Sequence, residues 1–119
     1  MRAKRLLVLA ACGCLFTFFA VGQENKRIFA SQAGQHIGEN TTVCGTVASE
    51  HYAANAKGQP TFINLDEPYP RQIFTVLIWG SDRAAFGQIP KKLCVTGTIS
   101  SYRGIPEIIA RKPNQIRPD

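Results

Sequence analysis

The sequence is short of the residues that catalysis and metal binding require. Its two histidines, His36 and His51, are too far apart for any zinc-ligand spacing. Its eight acidic residues are dispersed: Asp66 and Glu67 are adjacent, whereas Glu50, Asp82 and Glu107 stand apart. No carboxylate cluster is therefore prepared to hold a metal for phosphodiester chemistry. No serine–histidine or cysteine–histidine pattern marks an activated nucleophile. Asp66 precedes a proline turn and Asp82 stands where a helix start is expected, so both have structural explanations. These shortages argue against an enzyme, a metal site and a cofactor, and they leave a binding module.

Long apolar runs are also missing, except at the N-terminus. Arg2, Lys4 and Arg5 precede an uncharged stretch from Leu6 to Gly22, and Ala20-Val21-Gly22 supplies the small residues a signal peptidase reads. The sequence thus predicts a signal peptide over residues 1–22, cleaved before Gln23, and a periplasmic or secreted product. Two alternatives stand beside it. An uncleaved anchor is one, because the run sits at the short end of what spans a bilayer. The other is a lipoprotein, because Leu9-Ala10-Ala11-Cys12 looks like a lipoprotein box. Removing the signal takes the formal charge from +6 to +3, a value compatible with a polyanionic ligand but not diagnostic of one.

Of the four cysteines, Cys12 and Cys14 belong to the signal, leaving Cys44 and Cys94 as an even pair. In an oxidising compartment such a pair predicts a disulfide, against the alternative of two buried thiols.

The remainder is organised as strands. Residues 23–35 form a polar lead, with a short helical turn over Phe29–His36. Strands are expected at Thr41–Ser49, Pro60–Leu65, Gln72–Trp79, Lys92–Ser101 and Ile105–Arg111. Ser81 or Asp82 caps a short helix ended by Gly87. Val43-Cys44-Gly45-Thr46-Val47 and Val95-Thr96-Gly97-Thr98-Ile99 are each interrupted by a glycine, as curved barrel strands are. Three strands, a short helix and two more strands is the element order of an all-β, five-stranded OB-type Greek-key barrel, here over residues 36–116 with a tail at 117–119. An SH3-like barrel or a small open sandwich fits the helix less well. The tail from Lys112, with two prolines, is expected to be irregular, and the protein is expected to be a monomer.

The stretches HIGENTTVCGTVAS, GQPTFINLDEPYP, FTVLIWGSDRAAFG, LCVTGTI and YRGIPEIIARKPNQI resemble exported bacterial OB-fold proteins of the nucleic-acid-binding OB-fold, tRNA/helicase-type group. Members of that group occur alone or fused to secreted nucleases. The resemblance implies the barrel fold and, through it, a nucleic-acid ligand. It carries over no individual binding residue.

An OB barrel binds across its second and third strands and in the loops joining strands one to two and four to five. Single strands are held there by aromatic stacking and basic side chains. The ligand-binding candidates are Tyr52 and Lys57 in the first loop, Arg71 at the entry to strand three, and Tyr102 and Arg103 in the last loop. Phe62, Asn64, Arg111 and Lys112 fall in the same segments. Phe74 alternates with Val76 and Ile78 and is expected in the core, whereas Phe62 and Trp79 are open between core and binding face. The expected ligand is single-stranded nucleic acid or another extended polyanion. The alternative is a periplasmic protein-interaction or envelope-stress module that binds no nucleic acid.

Overall fold

The computed structural model describes residues 27–119, so the expected signal peptide, the anchor and lipoprotein alternatives, and the cleavage site lie outside the described residues. Seven strands are present: β1 (Arg27–Phe29), β2 (Asn40–Tyr52), β3 (Thr61–Leu65), β4 (Thr75–Ile78), β5 (Lys92–Tyr102), β6 (Ile105–Ile109) and β7 (Ile116–Pro118). Helix α1 (Gly80–Phe86) joins β4 to β5. Strands β2, β3, β4, β6 and β5 are hydrogen-bonded in that order, and β5 pairs back to β2, closing a five-stranded barrel. All these pairs are antiparallel except β4 with β6. The expected five strands and intervening helix are therefore all present.

The core is filled by apolar residues that alternate inward along the strands. Phe74, Val76 and Ile78 enter from the β4 segment, Leu93, Val95 and Ile99 from β5, and Ile63, Leu65 and Ile108 from β3 and β6, all fully buried. At the inward position of Gly97 a side chain has no room, since a β-carbon there would lie 2.8 Å from Cγ2 of Ile108. Outward, Thr42 and Thr96 share a hydroxyl hydrogen bond of 2.7 Å across β2 and β5. Cys44 and Cys94, directly opposed in the same register, form the expected disulfide.

Three expectations are corrected at the edges of the barrel. The polar lead is structured from Arg27: β1 runs parallel to Thr42–Cys44 of β2, and Ile28 joins the core. The turn after it is a 3-10 helix over Ala30–Gln35, whose Ala30 and Ala33 also pack into the core. The tail is not irregular either, since β7 pairs with Leu93–Val95 of β5. Gln115 secures it: its carbonyl oxygen accepts from the Arg111 and Lys112 amides at 2.7 and 2.9 Å, and its amide donates to the Thr96 carbonyl at 3.0 Å. Pro113 opens a 3-10 turn over Pro113–Gln115, where its missing N–H costs nothing, and Pro118 is tolerated because β7 is a short edge strand. Finally, α1 begins earlier than expected. Trp79 is its N-cap residue, so neither Ser81 nor Asp82 caps it, and Asp82 lies in the first turn.

Among the described residues no helix is long and apolar enough to cross a membrane.

Candidate functional site

The site begins with one irregularity in β2. Val47 faces Leu65 of β3, but the next paired residue is Ser49, opposite Asn64. Ala48 is thus an extra residue on β2, a β-bulge that reverses which side chains face outward beyond it. Before the bulge the odd-numbered Val43 and Val47 point inward, whereas after it Ser49 and His51 point outward. The Asp66 carboxylate fixes the neighbouring strand end by accepting from the Thr46 amide at 2.8 Å, while Asp66 itself takes a positive φ of 70°.

The bulge places Ser49 and His51 beside Phe62 and Asn64 of β3 on the outer surface. The same row continues through Thr75 of β4, opposite Asn64, and Glu107 of β6, opposite Thr75. These residues floor an open groove of about 560 Å³. Its walls are Tyr69 and Gln72 from the β3–β4 loop on one side, and Tyr102, Arg103 and Ile105 from the β5–β6 hairpin on the other. A hydrogen-bond chain stiffens the floor: Thr75 Oγ1 donates to Asn64 Oδ1 at 2.7 Å, and Asn64 Nδ2 donates to Ser49 Oγ at 3.0 Å. The Tyr69 amide donates to the same serine oxygen at 3.1 Å, tying one wall to the floor.

The opposite wall is set by a two-residue hairpin. Arg103 and Gly104 have φ of 54° and 82°, the left-handed conformations that such turns require and that Asn, Asp or Gly adopt at lower cost than arginine. The turn holds the Arg103 guanidinium 5.2 Å from the centre of the Tyr102 ring, within cation–π range. Tyr102 and Tyr69 remain half exposed or more, at 54% and 71%.

No family model and no curated protein matches the chain. Solved structures do. A chain assigned as an aspartyl-tRNA synthetase from Leishmania major Friedlin superposes with a TM-score of 0.52 at 13% identity, over 83% of this chain and 22% of that one. An OBody bound to hen egg-white lysozyme gives a TM-score of 0.53 at 15% identity, over 82% of this chain and 96% of its own. A second OBody bound to the same lysozyme gives 0.51 at 14% identity, with 82% and 94% covered. With the closed five-stranded barrel and the helix between β4 and β5, these likenesses decide the architecture. The chain is an OB fold. This chain spans only about a fifth of the synthetase's length, and likenesses at such identities speak to the fold alone.

Within the OB fold, the five sequence candidates separate. Tyr102 and Arg103 line the groove. Tyr52, Lys57 and Arg71 are exposed but outside its lining. Tyr52 is not in the first loop, because β2 runs through it. The bulge turns it to the face opposite His51. Lys57 sits toward the tip of the β2–β3 loop, and Arg71 lies between two groove residues without lining the groove itself. Phe62, which the sequence left open between core and binding face, is in the floor with Asn64, and Phe74 is in the core as expected. Trp79 is resolved as a loop anchor. Its ring packs against Gly58, where a β-carbon would lie 2.8 Å from Cε3, and the Gly80 amide donates to the Gly58 carbonyl at 2.9 Å. Among the described residues, one group of potential metal ligands lies close together, Cys44, Cys94 and Asp119, and both of its sulfurs are in the disulfide.

Glu107, which the sequence shows only as one of its dispersed acids, and Gln72, which nothing there singles out, both line the groove. Glu107 is 7% exposed; the Ser100 hydroxyl donates to its backbone carbonyl, and among the described residues none hydrogen-bonds its carboxylate. Burial pushes its carboxyl above the usual carboxylate range. Oε1 of Gln72 is buried without a partner. The visible clue was periodicity: in Pro106-Glu107-Ile108 a lone acid occupies the outward phase of an otherwise apolar strand.

A raised pKa in the folded state means that the native protein binds the proton more tightly than the unfolded chain. The stability attached to this group is therefore complete below the ordinary carboxylate range and falls as pH rises through the Glu107 pKa. Glu107→Gln should be more stable than the parent at pH 7 to 8, with the difference vanishing toward pH 4. Thermal melts of both proteins across that range check this, and a gap that widens on acidification would refute it.

Proposed function

We propose that this chain is an exported OB-fold binding module that holds a single strand of nucleic acid in the groove between the β3–β4 loop and the β5–β6 hairpin. One observation carries the reading: an exposed tyrosine on each wall, Tyr69 and Tyr102, with the Arg103 guanidinium held over one face of the second and its other face left for a base. Exposed aromatic faces stack bases, and an adjacent guanidinium contacts phosphate. Floor groups Ser49, Asn64 and Thr75 are already positioned by their own hydrogen bonds, so little ordering is required on binding. The resemblance to the nucleic-acid-binding OB group and the likeness to a synthetase domain support the reading. The disulfide is compatible with an oxidising compartment and so supports export.

A protein-interaction module is the second reading. It is favoured by the presence of a single guanidinium among the groove's lining residues, and by OBody neighbours that bind a protein.

Titrating the purified protein with fluorescent oligonucleotides at several salt concentrations separates the two. Each phosphate contact contributes about 0.7 to the fall of log affinity with log salt on single strands. Arg103→Asn keeps the turn and should remove about one contact from that slope. Tyr102→Ala should leave the slope unchanged while weakening binding by about 1–3 kcal/mol, the worth of one stacked base. Absence of salt-sensitive binding to any oligonucleotide at micromolar concentration would leave the protein-interaction reading in its place.

A further inference from the structure

We infer that Glu107 makes the groove selective for guanine, with the carboxylate receiving the two parallel N–H donors on the base's pairing edge. The inference rests on the nucleic-acid reading and adds a base preference to it.

The geometry supplies the argument. Glu107 ends the floor row on β6, the strand that continues into the hairpin wall, and that strand is paired to neighbours on both sides. The residue as a whole is 7% exposed, its carboxylate opens on the groove, and among the described residues none hydrogen-bonds that carboxylate. A second acceptor, Gln72 Oε1, is buried and unpaired in the wall formed by the β3–β4 loop. Leaving the buried Gln72 acceptor unmatched is unfavourable, and a groove lined with unpaired acceptors rejects ligands that cannot donate to them. Ionised carboxylates only accept. The floor groups nearby do not compensate, since Asn64 is engaged by Thr75 and Ser49.

The four bases differ in what they offer to such a group. Guanine presents N1–H and N2–H side by side, which match the two carboxylate oxygens as a bidentate pair. Thymine presents one N–H flanked by two carbonyl oxygens, so the second carboxylate oxygen meets an acceptor. Adenine and cytosine present one donor beside a ring-nitrogen acceptor, which suits a protonated carboxyl rather than an ionised one. A base stacked on Tyr102 or Tyr69 turns its edge toward the floor, where Glu107 sits. The other ionisable side chains lining the groove are His51, Tyr69, Tyr102 and Arg103. Arg103 is directed to its own tyrosine ring at the rim.

The test uses oligothymidylate and the same strand carrying one central dG, with a third strand in which hypoxanthine replaces that guanine and so lacks the N2 donor. At pH 8 the purified protein should bind the guanine strand about 5- to 150-fold more tightly than oligothymidylate, the discrimination of one bidentate base contact. The hypoxanthine strand should lose most of that gain. Glu107→Gln, of the same size and with one donor and one acceptor, should bind guanine and thymine strands alike. Equal binding of all three strands by the parent protein would overturn the inference and leave the nucleic-acid reading standing. The same holds if guanine preference persists in Glu107→Gln. If the parent binds none of the strands, both readings fall. Because the hypoxanthine comparison is made on the parent protein, the inference is tested even if the variant does not fold.

Discussion

Opening the Cys44–Cys94 bond, by reduction or by the paired Cys44→Ala and Cys94→Ala substitutions, should remove about 4 kcal/mol from the unfolding free energy. The estimate follows from the 50-residue separation of the two cysteines and the chain-entropy cost of closing a loop of that length. Domains of this size hold only about 5–15 kcal/mol in total, so this cross-link is a large share. The effect should fall on stability rather than architecture. The same two strands are joined by a continuous register from Asn40↔Thr98 to Thr46↔Lys92, and those pairs do not depend on the sulfurs. Guanidinium denaturation of oxidised and reduced protein measures the loss, and a native-like far-ultraviolet spectrum of the reduced protein at zero denaturant checks the second part. Thiol titration of the denatured, unreduced protein should find neither Cys44 nor Cys94 free. A loss below about 1 kcal/mol would show that the unfolded chain is already restrained, contrary to the loop argument.

Replacing Phe74 with alanine should cost about 3–5 kcal/mol, the range for emptying a buried aromatic site. Phe74 is fully buried and immediately precedes β4, where its carbonyl accepts from the Leu65 amide at 3.0 Å. It therefore fills the barrel at the point where the β3–β4 loop enters the sheet. The next residue, Thr75, belongs to the groove floor, so the core and the site are adjacent along the chain but on opposite faces. Phe74→Leu should recover most of the stability, since it restores much of the lost volume. Denaturation midpoints of the two variants provide the comparison, and equal losses for both would indicate that ring shape rather than volume matters at this position.

The residues that made the barrel legible are those with a strict period. Phe74, Val76 and Ile78 alternate without interruption, and their burial follows directly from pleated geometry. The glycines within Val43–Val47 and Val95–Ile99 likewise marked β2 and β5 as curved barrel strands, and the two remaining cysteines marked the disulfide. Legibility ended where the period broke. One inserted residue, Ala48, exchanges the faces of everything that follows it on β2, and nothing in Thr46-Val47-Ala48-Ser49 announces the insertion. That single phase change removes Tyr52 from the groove and brings His51 and Ser49 into it. The tail escaped for another reason, because its order comes from Gln115, whose contacts reach Arg111, Lys112 and Thr96. Such contacts are tertiary and leave no local signal. Tyr102 and Arg103 were found because a hairpin tip projects from the barrel in any arrangement of its core.

The clasp between the first and last described residues has a consequence for how the barrel can be carried. Arg27 Nη2 lies 2.6 Å from Asp119 Oδ1 and 3.3 Å from Cys94 Sγ. Both side chains of the ion pair are partly exposed, so the pair adds little stability, but it shows that chain entry and exit share one edge. Strand β1 joins β2 at Thr42–Cys44 and β7 joins β5 at Leu93–Val95, whereas the groove uses the far ends of those two long strands, from Ser49 and up to Tyr102. A tether, a membrane attachment or a neighbouring domain joined at either end would therefore leave from the rear of the barrel. The groove could face outward on such a mount without being covered by whatever holds it.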